Sequence, residues 1–156
     1  MTVRGIEEKD YKAFKRLFDQ AFFEYLEFLK QGNPQQYMKE LKERREVTRS
    51  GFNFYLRAGS SFVAEENGEA VGYVASQRVP SMHGVDLWIE YIVIQKEFRR
   101  RGIGLALLQK LKDYAASSSI DRIYAFINPD NEPSMRLHAK AGFNIEDWKI
   151  AINKTE

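Results

Sequence analysis

The stretch Arg99-Arg100-Arg101-Gly102-Ile103-Gly104 constrains this chain more than any other, because it separates two runs of different period. Before it lies Leu87-Trp88-Ile89-Glu90-Tyr91-Ile92-Val93-Ile94, whose β-branched and aromatic residues read as a buried strand. After it, apolar residues at Ile103, Leu107, Leu108, Leu111, Tyr114 and Ala115 have the spacing of an amphipathic helix. Strand, basic glycine-rich turn and helix in this order aim several free backbone N–H groups, and the positive end of the helix, at one spot. Such a spot binds phosphate. The glycines let an anion approach the backbone closely, and the arginines add charge.

Two phosphate-binding motifs fail here. A Walker A loop ends in Gly-Lys-Ser/Thr, and this chain has Gly104-Leu105-Ala106. A dinucleotide fingerprint needs its first glycine directly after the strand and a third at the position of Leu107. By contrast, Ile92-Val93-Ile94, four residues, then Arg99-x-x-Gly102-x-Gly104 resembles the coenzyme A pyrophosphate loop of the GNAT N-acetyltransferases. A helix start that merely carries arginines is the plain alternative. Three arginines there repel one another and the positive helix end, which counts against it.

The 156 residues, 44% apolar and 29% charged, are enough for one domain with a real core, and a single N-acetyltransferase domain over 1–156 is expected. The formal charge of +2 gives no global pull toward nucleic acid or membrane, and neither partner is expected. No cysteine is present, which removes disulfides, thiolate metal sites and a covalent cysteine mechanism. With no apolar leader in Met1–Asp10 and no spanning run, the expected location is the cytoplasm.

Taken in order, Thr2–Ile6 reads as a short strand, and a helix follows with apolar positions from Tyr11 to Leu29. Gly32-Asn33-Pro34 closes it, with glycine as the expected cap, and a more polar helix runs from about Gln35 to Thr48. Ser50–Leu56 has no clear assignment. From Ser61 the period becomes two, and Asn67-Gly68 marks a hairpin between 62–64 and 70–75. Pro80–Gly84 breaks that hairpin from the central strand. A strand over Arg122–Ile127, a helix opened by Asn131-Glu132-Pro133 and closed by Ala141-Gly142, and a last strand over about Glu146–Ile152 complete the chain. The order indicates a mixed α/β domain with one main sheet and about four helices.

The tail carries a second match. Asn131-x-x-Ser134-x-x-Leu137-His138-x-Lys140-x-Gly142-Phe143 is similar to the family's second signature, with His138 where the family usually has tyrosine. Together the matches cover roughly residues 60–150. They imply the GNAT fold, acetyl-CoA as co-substrate without a metal, and direct transfer to a primary amine in a ternary complex. They imply that the pantetheine arm pairs with the backbone at Ile92, Val93 and Ile94. The pyrophosphate would sit on N–H groups within Arg99, Arg100, Arg101, Gly102, Ile103, Gly104 and Leu105, and Asn131 would hold the pantetheine. An extended amide-bearing arm adds to a strand edge as a peptide does, and a strand N–H at Ile92 or Val93 can stabilise the oxyanion.

An amine must lose a proton before it attacks, since a lysine-like ammonium has a pKa near ~10. Glu90 is the candidate base: a charge in an apolar strand is costly, and by alternation it shares a face with Ile92 and Ile94. It could instead pair with an arginine of a neighbouring strand. Asp86, nearer the strand's start and expected at the surface, is the reserve. His138 is the candidate acid for the leaving thiolate, as a neutral imidazole keeps one N–H donor. His83 is a weaker candidate for touching the acceptor. The family shapes its acceptor site with the first two helices and the loop before the central strand, here Gln31–Met38 and Ser81–Val85, with Phe22, Phe23 and Tyr37 nearby. No specificity code is readable there, and peptide, lysine and small-molecule amines all remain open, as does a homodimer. The alternatives are an inactive coenzyme A-binding sensor or interaction module and, third, a nucleic-acid-binding domain using the arginine triplet.

Overall fold

Five strands lie in the order β1-β2-β3-β4-β5, sequential neighbours throughout, with only the last pair parallel. The computed structural model describes residues 1–153 and divides into two compact units, Met1–Phe126 and the segment from Ile127. The first contains β1 (Thr2–Gly5), α1 (Tyr11–Gly32), α2 (Pro34–Lys42), α3 (Arg49–Ala58), β2 (Phe62–Glu66), β3 (Glu69–Ser81), β4 (Gly84–Ile94), α4 (Ile103–Ser117) and β5 (Arg122–Ala125). Asn67 and Gly68 both have positive φ, 52° and 80°, as a two-residue hairpin turn requires. The crossover from β4 to parallel β5 runs through α4, whose stripe Ile103, Leu107, Leu108, Leu111 and Ala115 is buried as its spacing indicates.

The two faces of the sheet follow from alternation along β3. Tyr73 and Ala75 join Phe14 and Leu17 of α1, Phe52 of α3 and Val93 of β4 in one core cluster. Phe14 stacks on Tyr73 with ring centroids 3.9 Å apart and meets Phe52 edge-on at 5.2 Å. On the other face Gly72 leaves room for Ile94 and for Ile103 of α4; a Cβ at Gly72 would lie 3.0 Å from the Val93 carbonyl oxygen. At the sheet's first strand, Arg4 bridges buried Asp10 and Glu65, which holds β1 to β2 and to the turn entering α1.

Several elements depart from the reading of the sequence. Gly32 is the last helical residue of α1 and has no left-handed cap conformation. Asn33 instead ends α1 and caps α2, its side chain accepting from the Gln36 N–H at 3.1 Å, and Pro34 starts α2. That helix stops at Lys42 because the charged run Glu43–Glu46 offers no apolar residue to pay for another turn. The unassigned stretch is α3, capped by Thr48 and by left-handed Gly59; Gly51 and Asn53 weaken its helical signal, and exposed Phe54 blurs its stripe. Pro80 sits within β3, paired with Val85, where β2 no longer adjoins the strand and a missing donor is tolerated.

The second unit contains one helix, α5 (Glu132–Lys140), with Asn131 as its cap. Gly142 ends it at φ 89°, and the Phe143 N–H returns to the His138 carbonyl at 3.0 Å. The last strand expected over Glu146–Ile152 does not form. Its alternation of apolar and polar residues is real, but a strand exists only through a ladder partner, and its unit contains no strand among the described residues. Trp148, Ile150 and Ile152 are accordingly exposed.

Candidate active site

The central strand carries a bulge at the candidate base. Ala75 pairs with Tyr91 and Ser76 with Ile89, so Glu90 has no partner in the ladder. The extra residue shifts the alternation by one. Glu90 and Tyr91, though adjacent, both line a cavity together with Tyr73 and Ala75, on the α1 and α3 face. The expected grouping of Glu90 with Ile92 and Ile94 is therefore corrected: Ile94 packs on the α4 face.

The cavity has a volume of about 240 Å³. Helix α1 lines it with Phe14 and Phe18, α3 with Phe52 and Tyr55, and the segment between α2 and α3 with Arg45 to Thr48. Phe22, Phe23 and Tyr37 do not line it; Phe23 is exposed. Two of the lining side chains are tied together by Gln77 of β3, whose amide donates to Glu90 Oε2 at 2.7 Å and to the Tyr55 hydroxyl at 3.1 Å. Burial pushes the Glu90 carboxyl above the usual carboxylate range, and the positive charge of Arg45 partly opposes this. The alternative reading, a pairing with an arginine of a neighbouring strand, is not seen among the described residues, and an amide from β3 donates to Glu90 instead. Gln77, Tyr55 and Arg45 escaped the sequence reading, because β3 alternation places Gln77 beside Ala75 but says nothing of the bulge opposite.

Asp86 is buried rather than at the surface, and Arg122 of β5 donates to it at 2.8 Å. It holds β4 to β5 and does not line the cavity. His83 sits in the turn between β3 and β4, away from that lining.

Beyond Asp86–Ile89 the strand β4 has lost its β5 neighbour, so Glu90–Ile94, including Ile92 and Val93, is paired on one side only among the described residues. The chain then enters the basic turn. Arg99 donates to the Ile94 carbonyl at 3.0 Å and grips both carboxylate oxygens of Glu24 in α1, at 2.7 and 3.0 Å. Arg101 stacks over Phe98 at 4.9 Å and lies 3.7 Å from Glu66. Two arginines are thus tied down, contrary to a simple pooling of charge. Arg100 has no side-chain partner among the described residues, and both it (φ 65°) and Gly102 (φ 80°) are left-handed. No backbone N–H from Arg100 to Leu105, Ile103 and Gly104 included, meets an acceptor among the described residues; the first helical bond is Ala106 N–H to Gly102 carbonyl. The turn thus presents free N–H groups and the positive end of a 15-residue helix to one space.

In the second unit, His138 is buried. Its Nδ1 lies 2.8 Å from the Ser134 carbonyl, an acceptor only, so Nδ1 carries the proton. Nε2 is then an acceptor, buried without a partner among the described residues. Burial lowers the ring's pKa. The one N–H of the neutral imidazole is thus spent within the helix, and donation through Nε2 requires an imidazolium that burial disfavours. Asn131 uses its side-chain oxygen to cap α5, accepting from Ser134 N–H at 3.2 Å.

A bulged central strand, an unpaired strand edge and a basic turn of free N–H groups thus follow one another along the chain. The chain belongs to the acetyltransferase (GNAT) family, whose model matches residues 13–143. It is 27% identical to an uncharacterized N-acetyltransferase from Methanocaldococcus jannaschii, over 98% of this chain and 66% of that protein. It is 37% identical to the L-2,4-diaminobutyric acid acetyltransferase of Nocardia farcinica, over 52% of this chain and 42% of that one. The chain thus spans less than two thirds of either relative. The aminoglycoside N-acetyltransferase AAC(6')-Iy in complex with coenzyme A superposes with a TM-score of 0.72 at 16% identity, covering 99% of both chains. No helix among the described residues is long and apolar enough to cross a membrane, and no metal-holding cluster of His, Cys, Asp or Glu occurs among them.

Proposed function

We propose that this protein is an acetyl-CoA-dependent N-acetyltransferase acting on a primary amine as one domain over 1–156. The family match runs through both structural units, which supports the single-domain reading. The observation that carries the proposal is Glu90: a carboxylate lifted out of the β4 ladder by a bulge and turned into a cavity beside an unpaired strand edge. A pure coenzyme A binder has no use for it.

Acetyl-CoA, when bound, supplies the thioester carbon at which the amine's C–N bond forms as the C–S bond breaks. The N–H groups from Arg100 to Leu105, with the free Arg100 guanidinium, hold the pyrophosphate, while Arg99 braces the turn. The open backbone of Ile92 to Ile94 aligns the pantetheine. Glu90 takes the ammonium proton, directly or through one water, and Gln77 keeps its carboxylate aimed inward. The departing thiolate needs no acid from the protein, because a thiol pKa near ~8.5 makes it a competent anionic leaving group. His138 is accordingly a positioning residue of α5.

Calorimetric titration with acetyl-CoA tests the cradle. Micromolar affinity, about 8 kcal/mol, is expected, together with a raised melting temperature. Absence of binding to the unmodified protein removes the basis of the proposal.

A further inference from the structure

We infer that the acceptor is a free α-amino acid with a compact apolar side chain, its ammonium directed to Glu90 and its carboxylate to Arg45. The inference rests on the N-acetyltransferase reading and adds the substrate class.

The cavity's size sets the first limit. At about 240 Å³ it falls below the roughly 300–1,000 Å³ typical of sites for drug-sized ligands. A compact acceptor fits inside it whole.

The cavity's charges set the second. A polyamine needs a carboxylate for each ammonium, and Glu90 is the carboxylate on the cavity's strand floor. Glu46, the other one in the lining, sits at the exposed rim and pairs with Lys15 at 3.7 Å. Arg45, also at the rim, lines the same space, makes no ion pair among the described residues, and acts electrostatically on both Glu90 and Tyr91. One cation and one carboxylate across a small cavity complement a zwitterion. The walls include the rings of Phe14, Phe18, Phe52 and Tyr73, which offer a side chain chiefly apolar contact.

The reaction balances simply. The α-ammonium gives one proton to Glu90, the freed amine forms its C–N bond as the thioester C–S bond breaks, coenzyme A leaves as thiolate, and both the nitrogen's second proton and the one on Glu90 pass to solvent.

Thiol release in the acetyl-CoA-loaded protein, compared for L-leucine, L-leucinamide and 3-methylbutylamine, tests this. The expected kcat/KM for L-leucine exceeds that for both analogues by about 10–100-fold, the worth of a hydrogen bond to a charged group. In Arg45→Gln this preference collapses to near one, chiefly through KM. L-Leucine should also raise the melting temperature of the coenzyme A complex, and less so in Arg45→Gln. Equal or better turnover of the two analogues, or a preference that survives Arg45→Gln, overturns the inference and leaves the N-acetyltransferase reading intact. Failure of every amine, with acetyl-CoA bound, overturns both.

Discussion

Replacing Glu90 by glutamine is expected to slow acetyl transfer by roughly 10²-fold near neutral pH, the usual size of a general-base contribution. The substitution keeps the shape and still accepts the hydrogen bond from Gln77, so the cavity persists. Raising the pH restores part of the rate, because free amine then forms without assistance. The stability of the same variant moves the other way. Burial raises the Glu90 pKa, so the folded state holds this proton to higher pH than the unfolded chain, whose value is about 4.3. Its favourable contribution is complete below that value and is lost as pH rises through the folded pKa. Glu90→Gln removes the loss, and the variant should melt higher than the parent near neutral pH and match it near pH ~4. A slower yet more stable protein is the signature of a functional carboxylate held at a cost. An unchanged rate would take the base role from Glu90. Asp86, locked to Arg122, is poorly placed to inherit it.

Gly102→Val is expected to reduce acetyl-CoA affinity by about 10²-fold, as two N–H bonds to phosphate at ~1.5 kcal/mol each are displaced. No atom lies within 4 Å of where a Cβ would sit, so the obstacle is conformation rather than space. At φ 80° a β-branched residue is strained by about 1–2 kcal/mol, and the turn relaxes away from the cradle geometry. Gly102→Asn separates this from general damage, since asparagine tolerates left-handed backbone and should keep most of the affinity. Calorimetry of both variants decides it; equal affinity in Gly102→Val and the parent contradicts the phosphate cradle.

The strand, basic turn and helix were legible because their signal is local: a strand pattern, two glycines and a helical stripe within about thirty residues of chain. The fold's core followed for the same reason, with α4 and the β2–β3 hairpin read from periodicity and from Asn67-Gly68. What escaped is non-local. The bulge that turns Glu90 into the cavity depends on the register between β3 and β4, and no residue in either strand announces it. The cavity walls come from α3, whose Gly51 and Asn53 disguise the helix, and from α1 positions a turn or two before Phe22 and Phe23. His138 illustrates a different limit. Its place in the motif was visible, but the capture of its proton by the Ser134 carbonyl is a matter of tautomer and geometry. The failed strand at Glu146–Ile152 shows the converse: alternation records a propensity, and pairing decides the structure.

A single-turnover experiment tests the central claim most directly. Protein preloaded with one equivalent of acetyl-CoA is mixed with excess primary amine, and thiol, acetylated amine and intact protein mass are followed together. The account predicts that free thiol and acetylated amine appear at the same rate and in equal amounts, while the protein's mass never changes. Release of thiol without acetylated amine, or an acetyl group gained by the protein before the amine is modified, would contradict direct transfer at this site.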